Sequence, residues 1–330
     1  MWHKIRTYIL ALGLLFCLTA SAQTLSDSAS ISLLTCTPGN ALYERYGHTA
    51  LRVCDPVNKI DIAFNYGIFD FNIDDFYLKF VKGETWYELG ATETEWFIYS
   101  YAYEHRPVYE QVLNLTPAQN QMIWDALVKN YEPENRKYLY NFVFDNCATR
   151  PYLLVKNALG DSIVSDYKGY TGKTYREFIR HYTGALTWEN AGINLLFGAK
   201  ADQPMGSNER LFLPEELMLF MQEAHLSDGT PLVKQGEIEP FMTDGTPFLT
   251  SWPLGYALYV IGLLLISIRD RKRQRWSWWV EVVVGIPYVL LLTIVTFLTF
   301  FSCHPLVGFG WRLLIIPLTH LCARFVYIAR

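Results

Sequence analysis

Two side chains in this sequence are suited to covalent chemistry, Cys147 and His48. Cys147 stands in Phe144-Asp145-Asn146-Cys147-Ala148-Thr149-Arg150, where an aromatic run gives way to a stretch, Pro151 to Leu159, that reads as a helix. A thiol at a helix amino terminus is favoured as thiolate, because backbone N–H groups and the helix dipole face it. An unperturbed thiol, with a pKa of about 8.5, is only a few per cent ionised at neutral pH. A neighbouring imidazole corrects this by taking the proton. N–H groups at the same helix end can stabilise the oxyanion of a tetrahedral intermediate. A single Cys and a single His are more often packing residues than a catalytic pair, so their spacing alone carries little weight.

The elements that must position them are legible in outline. Ser30 to Thr35 reads as a strand ended by Pro38-Gly39-Asn40, and Ala41 to Tyr46 as a short helix or loop. After Gly47, the run His48 to Val53 alternates as a strand does, Asp55-Pro56-Val57-Asn58 is a turn signal, and Ile60 to Tyr66 is the return strand. A turn centred on Pro56 and Val57 pairs Val53 with Ile60 and sets His48 opposite Asn65. Directly opposed residues share a face with Cβ atoms about 5 Å apart, so Asn65 can hold the His48 ring. A slip of one residue would bring Phe64 or Tyr66 there instead. Pro107 to Leu115 reads as a further strand, and Thr116-Pro117 starts a helix with Thr as cap and Pro at the first helical position. Aromatic residues crowd positions 64 to 109. Most of them read as core, and a minority as the lining of an acyl groove or as a bilayer contact.

Of the other histidines, His105, His181 and His225 read as structural or solvated, and His304 and His320 fall in the apolar carboxyl-terminal part. The acidic and His residues lack any compact ligand spacing, so no metal is expected. No cofactor is expected either, since no Gly-rich phosphate loop is present. The formal charge of −4 gives no reason to expect nucleic acid as a partner.

The compartment follows from both ends of the sequence. Lys4 and Arg6, an apolar core from Ile9 to Leu18, and Ala20-Ser21-Ala22 before Gln23 describe a cleavable secretory signal over residues 1–22, with a retained anchor as the alternative. Residues 23–247 read as a folded soluble domain and 248–330 as a membrane domain, with helices at about 248–268, 280–302 and 313–328. About 20 apolar residues span a bilayer core. The segment 269–275 between the first two holds five basic side chains beside Trp276, Trp278 and Trp279, marking the cytoplasmic side and the interface. The soluble domain therefore faces the periplasm from the inner membrane. Its cysteines are Cys36, Cys54 and Cys147. Cys36 and Cys54 could pair in that oxidising compartment, leaving Cys147 as the odd thiol.

Several blocks in order carry a resemblance. Leu33-Leu34-Thr35-Cys36-Thr37-Pro38-Gly39, Tyr46-Gly47-His48-Thr49-Ala50, Asn65-Tyr66-Gly67-Ile68-Phe69-Asp70-Phe71 and the run from Tyr140 to Arg150 resemble the periplasmic domain of the Lnb lipoprotein N-acyltransferases. Phe212-Leu213-Pro214 and His304-Pro305-Leu306-Val307 resemble the same family, so the likeness covers most of residues 30 to 320. The domain is also similar to circularly permuted papain-like enzymes, the group of NlpC-type peptidases and lecithin:retinol acyltransferase, in which His precedes Cys along the chain. The fold class this implies is α+β, a permuted papain-like domain followed by about three transmembrane helices. The resemblance implies Cys147 as nucleophile, His48 as base and Asn65 as the polar third residue, with Asp61 behind it. A second His on the return strand, part of the lecithin:retinol pattern, is missing, which leaves the third residue open.

The implied reaction moves an acyl chain from a phospholipid through a Cys147 thioester to the α-amine of a diacylated lipoprotein. A membrane tether suits it, since donor and acceptor both live in the bilayer. The segment 302 to 311 is a shield against water or a simple connection. The rivals are a cell-wall amidase or peptidase using the same pair, a phospholipase, and a non-catalytic receptor or assembly factor.

Overall fold

A computed structural model describes residues 23–69, 74–160, 163–169, 172–206, 209–236, 238–241 and 248–328. The expected signal, residues 1–22, lies outside the described residues, as do Asp70 and Phe71. The chain runs through β1 (Ser30–Cys36), β2 (His48–Asp55), β3 (Ile60–Ile68), α1 (Phe76–Lys82), β4 (Trp86–Glu93), α2 (Thr94–Tyr103) and β5 (Val108–Leu113). Next come α3 (Pro117–Tyr131), β6 (Lys137–Leu139), α4 (Thr149–Leu159), β7 (Ile163–Ser165), α5 (Tyr175–Thr183) and α6 (Trp188–Leu196). Then follow α7 (Pro214–Glu223), β8 (Ala224–Leu226), β9 (Val233–Gly236), α8 (Trp252–Arg273), α9 (Trp279–Phe301) and α10 (Ile315–Ile328).

The fold is mixed α/β, with its sheet in the amino-terminal region. The main sheet has the order β6-β4-β3-β2-β1-β5-β9, and every pair in it is antiparallel. Strand alternation divides its side chains between two faces. One face sends Ile31, Leu33, Leu51, Val53, Phe64 and Tyr66 against Trp124 and Leu127 of α3, Tyr152 and Val155 of α4, and Leu217 and Met221 of α7. The other carries Leu34, Cys36, Ala50 and Ala63 under Phe97 of α2. β1 is buried on both faces, with the small hydroxyl residues Ser32 and Thr35 interleaved among its apolar ones. Helix α3 starts as expected: Thr116 and Gln119 form a reciprocal capping box with Pro117 at the first position.

The β2–β3 hairpin differs from expectation by two residues. Val53 pairs with Ile62 and Asp55 with Ile60, so the loop is Pro56 to Lys59 and not a two-residue turn at Pro56-Val57. Lys59 takes a left-handed conformation at φ 56°. The buried Asp55 carboxylate gathers the loop, accepting from Val57 N–H, Asn58 N–H and the Asn58 amide as well as Ser26 N–H and Oγ–H. Since side chains alternate with period two, a two-residue shift keeps every side chain on its face. Asn65 is thus a diagonal neighbour of His48 and not its direct partner.

Cys36 and Cys54 are free thiols. The β1–β2 register pairs Cys36 with His48 and Ser30 with Cys54, so the two cysteines sit at opposite ends of the strand pair, too far apart for a disulfide.

In the carboxyl-terminal region, α8 and α9 are long and apolar enough to cross a membrane. The basic run expected as a connecting loop is largely helical: α8 continues through Arg273 and ends at Gln274 in the left-handed cap conformation. Arg and Lys are good helix formers, and at a carboxyl terminus they complement the dipole. The expected third span is a 3-10 turn, Trp311–Leu314, followed by the 14-residue α10, shorter than the roughly 20 residues a span needs. α10 packs on α8 through Ala323 and Leu263 and through the Tyr256–Thr319 hydroxyl pair at 2.5 Å. Its buried Arg324 pairs with buried Asp270 at 3.1 Å and with Glu281 at 2.9 Å.

Candidate active site

His48 opens β2, past the end of the β2–β3 ladder, which stops at the Leu51–Phe64 pair. There β3 departs from regularity. A bulge between Tyr66 and Ile68 leaves Gly67 unpaired with β4, at φ +134°. A Cβ on Gly67 would lie 3.1 Å from His48 Cε1 and 3.8 Å from Cys147 Cβ. Gly67 is therefore the floor of a slot that the imidazole and the thiol share, and its left-side φ is one that L side chains rarely adopt.

The slot brings together all three residues expected at the site. His48 Nε2 donates to Asn65 Oδ1 at 2.5 Å, which leaves Nδ1 to exchange a proton with the thiol. Both His48 and Cys147 are half-buried. Burial opposes charge on Cys147, but the His48 charge and hydrogen bond outweigh it. With the N–H groups of Thr49 and Cys147, they hold the thiol below its ordinary range. Burial likewise opposes protonation of His48, yet the charge and hydrogen bond of Cys147, and then Asn65, raise it overall. Arg106 works weakly against His48 protonation. It lies over the Tyr101 ring and donates to the Thr37 carbonyl. Each partner thus shifts the other towards its charged form, the thiol towards thiolate and the imidazole towards imidazolium.

Asp61 is not behind Asn65. It is taken by Arg52, with bonds of 2.7 and 2.6 Å. Four residues of strand, about 13 Å, separate it from Asn65.

The cysteine loop has its own scaffold, which sequence reasoning did not assign. Asn146 is buried with all four amide bonding positions used. Its Oδ1 accepts from Ala148 and Thr149 N–H, both at 2.9 Å, and its Nδ2 donates to the carbonyls of Phe142 at 2.7 Å and Phe212 at 2.8 Å. It caps α4 from within the loop and ties the cysteine to a segment 66 residues away. Because Asn146 takes the N–H groups of Ala148 and Thr149, the donors left to the sulfur are those of Cys147 itself and of Thr49. Asp145 forms a two-bond pair with Arg150, whose guanidinium lies 3.7 Å from the Tyr138 ring centroid. The Asn141–Asp145 bridge folds the chain back so that Tyr140 returns beside the loop. Tyr87 and Tyr138 border the same space. Burial and then the Cys147 charge raise all three phenols, Tyr87 to about 12. The asparagine just before the cysteine and the glycine inside a strand pattern were the visible signals for Asn146 and Gly67. Among the described residues no group of His, Cys, Asp or Glu could hold a metal ion.

The segment 302–311 is tied to the sheet-bearing region along its length. Cys303 N–H donates to the Lys82 carbonyl at 2.7 Å, Gly198 N–H to Leu306, and Gly308 N–H to Leu196. Leu306 is buried in a second core with Val143, Phe178 and Phe212, only a few residues from the cysteine loop. Arg312 reaches Asp202, which also binds Arg176.

Neither the curated proteins nor the solved structures searched return a match to this chain. Residues 19–180 match the family model described as the Lnb N-terminal periplasmic domain, and residues 244–330 match the Lnb transmembrane domain. The chain therefore belongs to the Lnb family, as a membrane protein with a periplasmic domain.

Proposed function

We propose that the protein is a lipoprotein N-acyltransferase of the inner membrane, with a catalytic domain over residues 23–247 and a membrane domain over 248–330. The observation that carries this reading is the hydrogen-bonded row Cys147, His48, Asn65 in a chain that continues into membrane helices. A strand His that precedes a Cys at a helix start, with an Asn on the adjacent strand, supports a permuted papain-like arrangement.

The Cys147 thiolate attacks an ester carbonyl of a phospholipid. The tetrahedral oxyanion is met by the N–H groups of Cys147 and Thr49, donors already aimed at the sulfur. Collapse breaks the ester C–O bond, and the His48 imidazolium gives its proton to the leaving alkoxide of the lysophospholipid. The acyl thioester is then attacked by the α-amine of a diacylglyceryl-cysteine. His48 accepts the amine proton, the C–S bond breaks, and the thiolate returns. Splitting one hard amidation into two easier steps is what covalent catalysis offers. Asn65 fixes the ring so that Nδ1 stays on the sulfur throughout.

Complementation in a bacterium depleted of its own N-acyltransferase, read by mass spectrometry of a reporter lipoprotein, tests the assignment. A third acyl chain is expected with the wild type and none with Cys147→Ala. A well-expressed wild type that adds no chain removes the transferase reading and brings wall or lipid hydrolysis forward. A chain added equally by Cys147→Ala keeps the function and removes the mechanism.

A further inference from the structure

Helix α1 buries Phe76 but leaves three other apolar side chains well exposed. Leu78, Phe80 and Val81 are 48%, 50% and 37% exposed on one seven-residue helix, with Lys79 and Lys82 among them. A short helix with half-exposed apolar residues and basic neighbours is poorly suited to water and well suited to a lipid interface.

The position of α1 says which interface. Span α9 ends at Phe301, and two residues later Cys303 N–H donates to the Lys82 carbonyl at 2.7 Å. His304 Nε2 donates to the Phe80 carbonyl at 2.9 Å. Two residues of chain reach at most about 7 Å, so α1 lies within the headgroup depth of the leaflet that α9 enters. Its apolar side chains are continuous with the membrane region and are long enough to meet acyl chains, while lysine stems can snorkel to phosphates.

From α1 a ladder of rings leads inward. Phe80 stacks on Phe76 at 6.1 Å, Phe76 on Phe69 at 6.2 Å, Phe69 meets Tyr87 at 4.9 Å, and Tyr87 stacks on Tyr140 at 4.2 Å. These are contact distances for aromatic pairs. The inner end lies at the slot: Phe69 is two residues past Gly67, and Tyr140 is folded back beside the Cys147 loop. The ladder therefore leads from the membrane surface to the loop that carries the thiol.

We propose that α1 is an interfacial helix seated in the periplasmic leaflet, and that the row of rings from Phe80 to Tyr140 marks the route by which the acyl chain of a bilayer phospholipid reaches Cys147, with the buried Phe76 and Tyr87 turning aside to admit it. The seat of α1 in lipid stands by itself, whereas the destination of the chain rests on the acyltransferase reading above. The donor is thus taken from the bilayer plane, and a soluble ester would not need α1.

Two measurements on the full-length protein in phosphatidylethanolamine and phosphatidylglycerol vesicles test this. A benzophenone amino acid placed at Leu78 is expected to give a phospholipid photo-adduct. One placed at Val57, in the turn at the opposite end of the β2–β3 pair, is expected to give none. No lipid adduct at position 78, or equal adducts at both, overturns the seat of α1. For the path, the double variant Leu78→Asp with Val81→Asp is compared with wild type on vesicle phospholipid and on a short-chain, water-soluble ester. At least a ten-fold loss on the vesicle donor is expected, with the soluble ester changed less than two-fold. Equal losses on both donors, or none on the vesicle donor, overturn the path. A wild type that acts on neither donor removes the acyltransferase reading and the path with it, while the photo-adduct still decides the seat of α1.

Discussion

The two ends of the β2–β3 pair are built from the same two strands and do opposite things. At the far end the ladder is regular up to Asp55–Ile60, the turn is gathered by one buried carboxylate, and Arg52 is committed to Asp61 and Glu110. At the near end the ladder stops at Leu51–Phe64, β3 bulges at Gly67, and His48 and Asn65 turn to each other and to a half-buried thiol. Polar groups at the far end are used up in holding the chain. Those at the near end are held by others, chiefly Asn65 and Asn146, and keep one bonding direction for the reaction. Chemistry is located where backbone pairing has been interrupted and the lost order is replaced by side-chain bonds.

The largest break in that comparison is at the base. His48→Ala is expected to lower acyl transfer by about 10³-fold, within the range a positioned acid–base group supplies. It also removes the charge that lowers Cys147. The pH at which Cys147 becomes reactive to iodoacetamide then moves up, because the imidazole no longer offsets burial, the largest influence on this thiol. An unchanged alkylation profile would mean that the imidazole does not activate the thiol.

Gly67→Ala should come next. Its Cβ would sit 3.1 Å from the imidazole at a φ of +134°, so the ring must move. A misplacement of this kind costs about 10²-fold in turnover. Steady-state kinetics should show the loss in kcat, with a melting temperature that falls only modestly.

At the far end the expected effects are on stability alone. Burial would raise the Asp55 carboxyl, but hydrogen bonds from Ser26 and Asn58 outweigh it and hold it at about 2, below the ordinary 3.8. A folded-state pKa below the unfolded one stabilises the protein above pH 3.8, and that contribution is lost as pH falls towards 2. Acid unfolding of Asp55→Asn should therefore lack the part of the transition in that window, while acyl transfer at neutral pH stays as in wild type. Lys59→Gly is the mildest change. Relieving a left-handed lysine should be neutral or stabilising by up to about 1 kcal/mol in denaturant melts, with no effect on activity.

How much of this could be read in the sequence depends on how far apart the interacting residues lie. Strand alternation alone put His48 and Asn65 on one face, and a Cys before a helical stretch located the thiol. The register was misjudged because the turn depends on Asp55 bonds to Asn58 and to Ser26, the latter 29 residues away. The face survived only because the error was an even number of residues. Asn146 was visible as a neighbour of Cys147, but its partner Phe212 is brought near only by the second core. Asp61 was misassigned because Arg52, on the paired strand, competes for it. Likewise, the aromatic run from 64 to 109 could not be divided into core and surface until packing buried Phe76 and Tyr87 and left Phe80 half exposed.

The most direct test of the account is the mass of the protein itself. After incubation with phospholipid vesicles and no acceptor, peptide mass spectrometry should find one acyl group on the peptide bearing Cys147. Neutral hydroxylamine should release it, and adding a diacylglyceryl-cysteine peptide should discharge it. A preparation that is active in transfer yet never carries acyl on Cys147, or carries it on another residue, would contradict the account.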